Sequence, residues 1–303
     1  MPRRPNFYHI TDLKGIPGPR LVNTESGGFG RLFRPRGSLR MLIATWNVNS
    51  IKQRLDNVLA WLRERNPDLL CLQEIKCVTE AFPREAFESL GYNVAVHGQK
   101  GFNGVALLSK FPFDEVAPGL IGDHDDVQAR FLEALISTKA GVLRLVSLYL
   151  PNGNPINTDK YTYKLKWMDR LIDFSRERLA LEEPLLLAGD YNVIPTAADA
   201  RNPAAWVDDA LFLPQTREKF RALANLGFTD AIRAVSDDTG LYSFWDYQAG
   251  AWTKDNGIRI DHILLSPRAA DRLIDAGIDR HVRGWEKPSD HVPIYVDLDI
   301  EGR

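Results

Sequence analysis

Ten polar residues in this chain stand at or beside the ends of apolar segments, and their types suit one kind of chemistry. They are Asn47 and Asn49 in WNVN, Glu74 in LQE, Tyr149 and Asn152 in YLPN, Asp190 and Asn192 in GDYN, Asp261 in RIDH, and Asp290 and His291 in SDH. Each alone has an ordinary structural use, since asparagines form turns, D-x-N makes an Asx turn and a lone histidine packs with a hydrogen bond. Together they would stack uncompensated polar groups along one edge of a core, which costs free energy. Carboxylates and amide oxygens with no Cys/His cage suit a hard, oxygen-seeking cation such as Mg²⁺, with Mn²⁺ as substitute. A histidine beside a carboxylate supplies an orientable acid–base pair. A phosphodiester gathers negative charge at its leaving oxygen as the bond breaks. A cation, a tyrosine hydroxyl and amide donors stabilise that charge, and a histidine or aspartate activates water. The chain has no G-x-x-x-x-G-K-S/T loop and no G-x-S-x-G elbow. The pattern points to metal-dependent phosphoester hydrolysis.

The elements that must carry these residues alternate as strand and helix. LLLAGDYNVIP is the centre of the chain: Leu185, Leu186, Leu187 and Ala188 form a run fit for a strand covered on both faces. Asp190 and Asn192 follow at its carboxyl end, where open α/β sheets place their chemistry. MLIATWN and DLLCLQE read as strands around an amphipathic helix, IKQRLDNVLAWLRER, with Leu55, Val58, Leu59 and Leu62 on one face. A short helix is expected at 79–90, strands at YNVAVH and GVALLSK, and a hairpin from RFLEALIS to GVLRLVSLYL. A long helix over 158–182 carries Leu165, Met168, Leu171 and Ile172 on one face; a long functional loop follows at 196–215, then a helix at 216–226. YSFWDY, IRIDHILLS and VPIYVDLDI read as strands, and the two halves look like a weak duplication.

At 303 residues, 44% hydrophobic and 26% charged, the chain has the composition of a soluble globular protein. No apolar run approaches the roughly 20 residues of a membrane span. Its two cysteines, Cys71 and Cys77, suit a reducing compartment, so the expected location is cytoplasmic. Residues 1–40 hold eight Lys/Arg against Asp12 and Glu25, which leaves 30 basic and 38 acidic residues in the remainder. A body that acidic binds a polyanion only through a local basic surface or a bound cation. The segment 1–40 reads as a basic, disordered arm ahead of a catalytic domain at 41–303, with Met41 as an alternative start; a dispensable extension is favoured over a nucleic-acid-contacting tail or a targeting segment.

In order, WNVNS, LQEIK, GVALLS, YLPNG, GDYNVIP, YSFWDY, GIRIDHILLSP and SDHVP resemble the exonuclease III family of abasic-site endonucleases, within the endonuclease/exonuclease/phosphatase superfamily. The resemblance runs from Met41 to about Asp299. It implies a four-layer α/β sandwich, two packed mixed sheets flanked by helices. It also implies a monomer that incises duplex DNA 5′ to abasic sites, with 3′-to-5′ exonuclease and 3′-phosphatase activity.

By that resemblance Glu74 is the main metal carboxylate, with Asn47 and Asp290 nearby and Asp190, Asn192 and His291 around it. His291 contacts phosphate or activates water and is oriented by Asp261. Asp190 is an acid–base group, and which of the two is the base stays open. Tyr149, Asn152 and Asn192 are phosphate and transition-state donors. Asn49 departs from relatives that carry aspartate there, so the metal site has one charge fewer. Phe244, Ile258 and Ile260 wall a pocket for the flipped-out abasic sugar, too small for a base; for Ile260 and Trp245 core packing is the competing use. Lys76, Lys100, Phe102, Asn103, Arg217 and Trp252 are candidates for the DNA backbone or for a solvated surface. Two rivals stand: another branch of the superfamily acting on a different phosphoester, and a noncatalytic DNA-binding relative.

Overall fold

The computed structural model describes residues 40–302. The expectation for the arm therefore lies, apart from Arg40, outside the described residues. The chain runs β1 (Met41–Asn47), α1 (Ile51–Arg65), β2 (Leu69–Gln73), α2 (Arg84–Glu88), β3 (Asn93–His97), β4 (Val105–Ser109), β5 (Glu115–Pro118), β6 (Phe131–Thr138) and β7 (Gly141–Tyr149). It continues with α3 (Asp159–Leu179), β8 (Leu185–Asp190), α4 (Pro214–Ala224), β9 (Thr229–Asp230), α5 (Ala231–Val235), β10 (Asp261–Leu265), α6 (Pro267–Ala270), β11 (Leu273–Ile278) and β12 (Ile294–Leu298).

The strands form two six-stranded mixed sheets, ordered β11-β12-β1-β2-β4-β3 and β5-β6-β7-β8-β10-β9. Alternation along each strand divides its side chains between two cores. In β1, Met41 and Ile43 face the core between the sheets, beside Leu186 and Ala188 of β8. Ala44 and Trp46 face outward onto Val58, Trp61 and Leu62 of α1. In β8, Leu185 and Leu187 face outward onto Trp167, Met168 and Leu171 of α3. Both faces of these strands are covered, which is why they read as unbroken apolar runs. The layers are helix, sheet, sheet and helix.

The duplication is visible in the topology. β1 and β2 are parallel neighbours joined through α1, and β7 and β8 are parallel neighbours joined through α3. An antiparallel strand flanks each pair on both sides: β12 and β4 in one sheet, β6 and β10 in the other.

Several expectations are corrected. YSFWDY is not a strand; Phe244 makes only isolated bridges to Ile258 and His291. Asp261 opens β10 rather than closing a strand, and Asp290 and His291 precede β12. These antiparallel strands begin at the edge where β1, β2, β7 and β8 end, so entry and exit residues meet there. The loop at 196–215 holds two 3-10 turns, Ala197–Asp199 and Pro203–Trp206, before α4 begins at Pro214. The buried face of α3 is Lys164, Trp167, Met168, Leu171, Phe174 and Ser175, with Leu165 and Ile172 only half-buried.

Candidate active site

Left-handed backbone at non-glycine residues is uncommon and gathers at functional sites. Five of the eleven such residues among those described lie just past strands that end at one edge: Asn49 and Ser50 after β1, Glu74 and Lys76 after β2, and Asn192 after β8. Each turns the chain off its ladder so that a polar side chain reaches the shared edge. Gly189 is set by close approach, since a Cβ there would stand 1.9 Å from the Leu148 carbonyl oxygen. That contact brings Tyr149, Asp190 and Asp261 into register across three adjacent strands.

Side chains from both sheets meet at this edge. The Asn47 amide donates to Glu74 Oε1 and to Asp190 Oδ2, both at 2.9 Å, so one residue of β1 bridges carboxylates from the two sheets. His291 Nδ1 lies 2.9 Å from Asp261 Oδ2, and its Nε2 lies 3.7 Å from Asp190 Oδ2. The Asn192 backbone N–H donates to Asp190 Oδ1 at 2.8 Å. Asn152 Nδ2 donates to Asn192 Oδ1 at 3.0 Å, and Asn192 Nδ2 donates to the Leu150 carbonyl. The Asn49 amide donates to Asp290 Oδ1 at 3.0 Å, and its oxygen accepts from Lys76 Nζ, which also pairs with Glu74 Oε2 at 2.9 Å.

The electrostatics follow from burial and these contacts. Burial is the largest influence on Asp190 and raises its pKa to about 7, with Asp261 adding to the rise and His291 opposing it. Burial alone would lower His291, but Asp261 and Asp190 outweigh it and push the imidazole up to about 10. Burial alone would raise Glu74; Lys76 and the Asn47 amide hold it below its usual value. Burial, Glu74 and Asp190 push the Tyr149 hydroxyl well above its usual value, so it stays a proton donor.

Glu74, Asp190 and His291 offer ligand atoms within 4.8 Å of one another. The oxygen-rich donor set fits a hard divalent cation. Asp290 is not part of this triangle and is engaged by Asn49 and Ser289.

Phe244, Ile258 and Ile260 do come together. They share an apolar cluster with Ile194, Ala200, Leu211, Phe212 and the half-buried Trp206. The Phe244 ring packs edge-on against His291, 4.9 Å between centroids, so this cluster adjoins the polar edge. Trp245 is fully buried, in the same apolar core as Trp46. Arg217 donates to the Phe212 carbonyl and lies over that ring, Trp252 packs on Trp245, and Asn103 is buried. Lys100 and Phe102 stay exposed.

Sequence reasoning missed Ser243. Its hydroxyl donates to Asp261 Oδ2 at 2.6 Å and accepts from the backbone N–H groups of Ile260 and Asp261. Read inside a supposed strand, Ser243 gave no signal.

Residues 44–291 match the Endonuclease/Exonuclease/phosphatase family. The chain is 34% identical over 266 residues to exodeoxyribonuclease III of Haemophilus influenzae, covering 85% of this chain and all of the relative. Among solved structures it is similar to a 3′ phosphatase, NExo, from Neisseria bound to a product DNA hairpin. That match has a TM-score of 0.82 and 36% identity, over 85% of this chain and 99% of the other. It is also similar to an AP endonuclease from Archaeoglobus fulgidus, with a TM-score of 0.81 and 35% identity, over 86% of this chain and 99% of the other.

Proposed function

Because the chain belongs to the endonuclease/exonuclease/phosphatase family and is a phosphodiester hydrolase, we propose that it is a metal-dependent DNA-repair enzyme. In this reading it incises duplex DNA 5′ to abasic sites and also removes nucleotides or phosphate from 3′ ends. The observation that carries the reading is the position of His291 between Asp261 and Asp190, 2.9 and 3.7 Å away, with Glu74 joined to the same edge through Asn47.

We assign Glu74 to a divalent cation, Mg²⁺ in the first instance, with Asp290 and the oxygens of Asn47 and Asn192 nearby. When bound, the ion supplies positive charge at the scissile phosphate. The protein's own groups do the rest. His291 is held by one carboxylate and faces another, so it keeps its proton and is assigned to the phosphate oxygens rather than to the metal. Asp190, with a pKa of about 7, is the base that takes a proton from the attacking water. Tyr149, Asn152 and Asn192 donate to the phosphate as charge develops; each amide nitrogen carries a second hydrogen beyond the one it spends internally. Phe244, Ile258 and Ile260 wall the place of the flipped-out sugar, where a nucleotide bearing a base does not fit. The exposed Lys100 and Phe102 are assigned to the DNA backbone. Among the described residues no helix is long and apolar enough to cross a membrane. A monomeric enzyme acting in the cytoplasm completes the reading.

The test is a labelled duplex with one central abasic-site analogue, incubated with Mg²⁺ or with EDTA beside an intact duplex. Mg²⁺-dependent cutting 5′ to the lesion is expected. If neither duplex is cut with Mg²⁺ or Mn²⁺, the substrate is a different phosphoester.

A further inference from the structure

Lys164 sits in the second turn of α3 and is fully buried, on a face whose Trp167, Met168, Leu171 and Phe174 pack against β7 and β8. A lysine on such a face ordinarily runs its stem to the surface and leaves its ammonium in water. This one stays inside. Its Nζ donates to the carbonyl oxygens of Asn152, at 3.0 Å, and Asn192, at 2.5 Å. Those carbonyls belong to the two turns that follow β7 and β8. On the other side of the same turns the Asn152 and Asn192 side chains meet, and the Asn192 N–H holds Asp190.

The turn is shaped around the lysine. Gly153 has a φ of +91°, and a Cβ there would stand 2.6 Å from Lys164 Cδ. Burying an ammonium is costly, and burial lowers this one to about 7 against the pull of Asp190 and Asp209. Methionine would fill the space without that cost. What the lysine supplies that methionine cannot is its pair of N–H donors to the two carbonyls.

Building on the functional reading above, we propose that Lys164 is a positioning residue for the reaction. Its ammonium clamps the turns at 152–154 and 190–193 from behind, and so fixes the spacing of Asn152 and Asn192 and the direction of Asp190. It touches no substrate and acts only through the two carbonyls.

The full-length Lys164→Met and Lys164→Gln variants test this beside the unmodified protein. Three readouts are needed: single-turnover incision of the abasic duplex with Mg²⁺, duplex affinity, and amide hydrogen exchange without DNA. In Lys164→Met the incision rate should fall roughly ten- to a hundredfold, the cost of small misplacements at a reacting centre. Duplex affinity should hold, and exchange should quicken at 150–154 and 190–194 while β7 and β8 stay protected. Lys164→Gln keeps an N–H donor and should fall between. A slower rate without quicker exchange, quicker exchange at full rate, or a loss confined to affinity each overturns the proposal. If Lys164→Met does not fold, Lys164→Gln must show both changes together or the proposal fails. An unmodified protein that leaves the abasic duplex uncut sinks the functional reading instead, while exchange still judges the clamp.

Discussion

Asp190 and Asp261 are register partners across the β8–β10 ladder, and His291 spans them. Two carboxylates opposite one another repel, and the imidazolium compensates. The pKa of His291 is raised from 6.5 to about 10, so its contribution to stability is complete below 6.5 and is lost as pH rises through about 10. The pKa of Asp190 is raised from 3.8 to about 7, so its contribution likewise drains away between those values as pH rises. Both groups make the fold less stable toward alkaline pH. Replacing His291 with Gln should flatten the decline between about pH 7 and 10. Denaturant unfolding across that range checks this, and parallel profiles for the two proteins would refute the pairing.

Asp190→Asn keeps the shape of the side chain and removes the proposed base. The chemical step should slow by about a hundred- to ten-thousandfold, the usual worth of a positioned general base. Binding of the abasic duplex should persist. Single-turnover incision and fluorescence anisotropy separate the two, and unchanged turnover would remove Asp190 from the mechanism.

Asn49 lies between Lys76 and Asp290 and is neutral. Asn49→Asp adds a carboxylate to the rim of the proposed metal site and replaces a hydrogen bond to Asp290 with repulsion that a cation would relieve. The Mg²⁺ concentration for half-maximal activity should fall. A rise in that midpoint would place the ion elsewhere.

Ile260 is buried in the cluster that adjoins His291. Ile260→Ala should cost about 2–5 kcal/mol of stability, as other large-to-small core changes do. It should also narrow the preference for abasic over intact DNA, because the pocket gains volume. Competition between the two duplexes measures the preference; an unaltered ratio would return Ile260 to core packing alone.

Arg259 is 1% exposed and joins Asp199 and Asp230, each at 2.7 Å. Its neighbours in sequence are Ile258 and Ile260, the proposed pocket walls. Arg259→Met leaves Asp230 without its guanidinium and should destabilise the fold by about 3–5 kcal/mol, the cost of breaking a buried ion pair on one side. Thermal unfolding reads this directly.

The legible parts of the sequence were those where burial imposes a pattern. β8 was plain because both its faces are covered, and GDYN marked its end. β11, with the sequence LIDAGI, escaped because it is an edge strand with no buried run. YSFWDY misled because aromatic alternation imitates a strand, while its Phe244 makes only single bridges and its Ser243 serves Asp261. The candidate site residues were read as strand-end polar groups, although Asp261 opens β10 and His291 lies in the turn before β12. Ser243 and Lys164 act behind the site, where a side chain's type says little. Lys164 did leave a trace, as the single charged residue on the buried face of α3.

The first sheet is assembled from distant parts of the chain: β12 pairs with β1 on one side and β11 on the other, while the whole second sheet lies between them in sequence. During synthesis β1 emerges early and keeps a bare edge until β12 arrives. An interrupted chain then carries Glu74 and Asp190 but lacks His291 and the strand that pairs with β1. The edge where these side chains meet is therefore complete only with the last strands made.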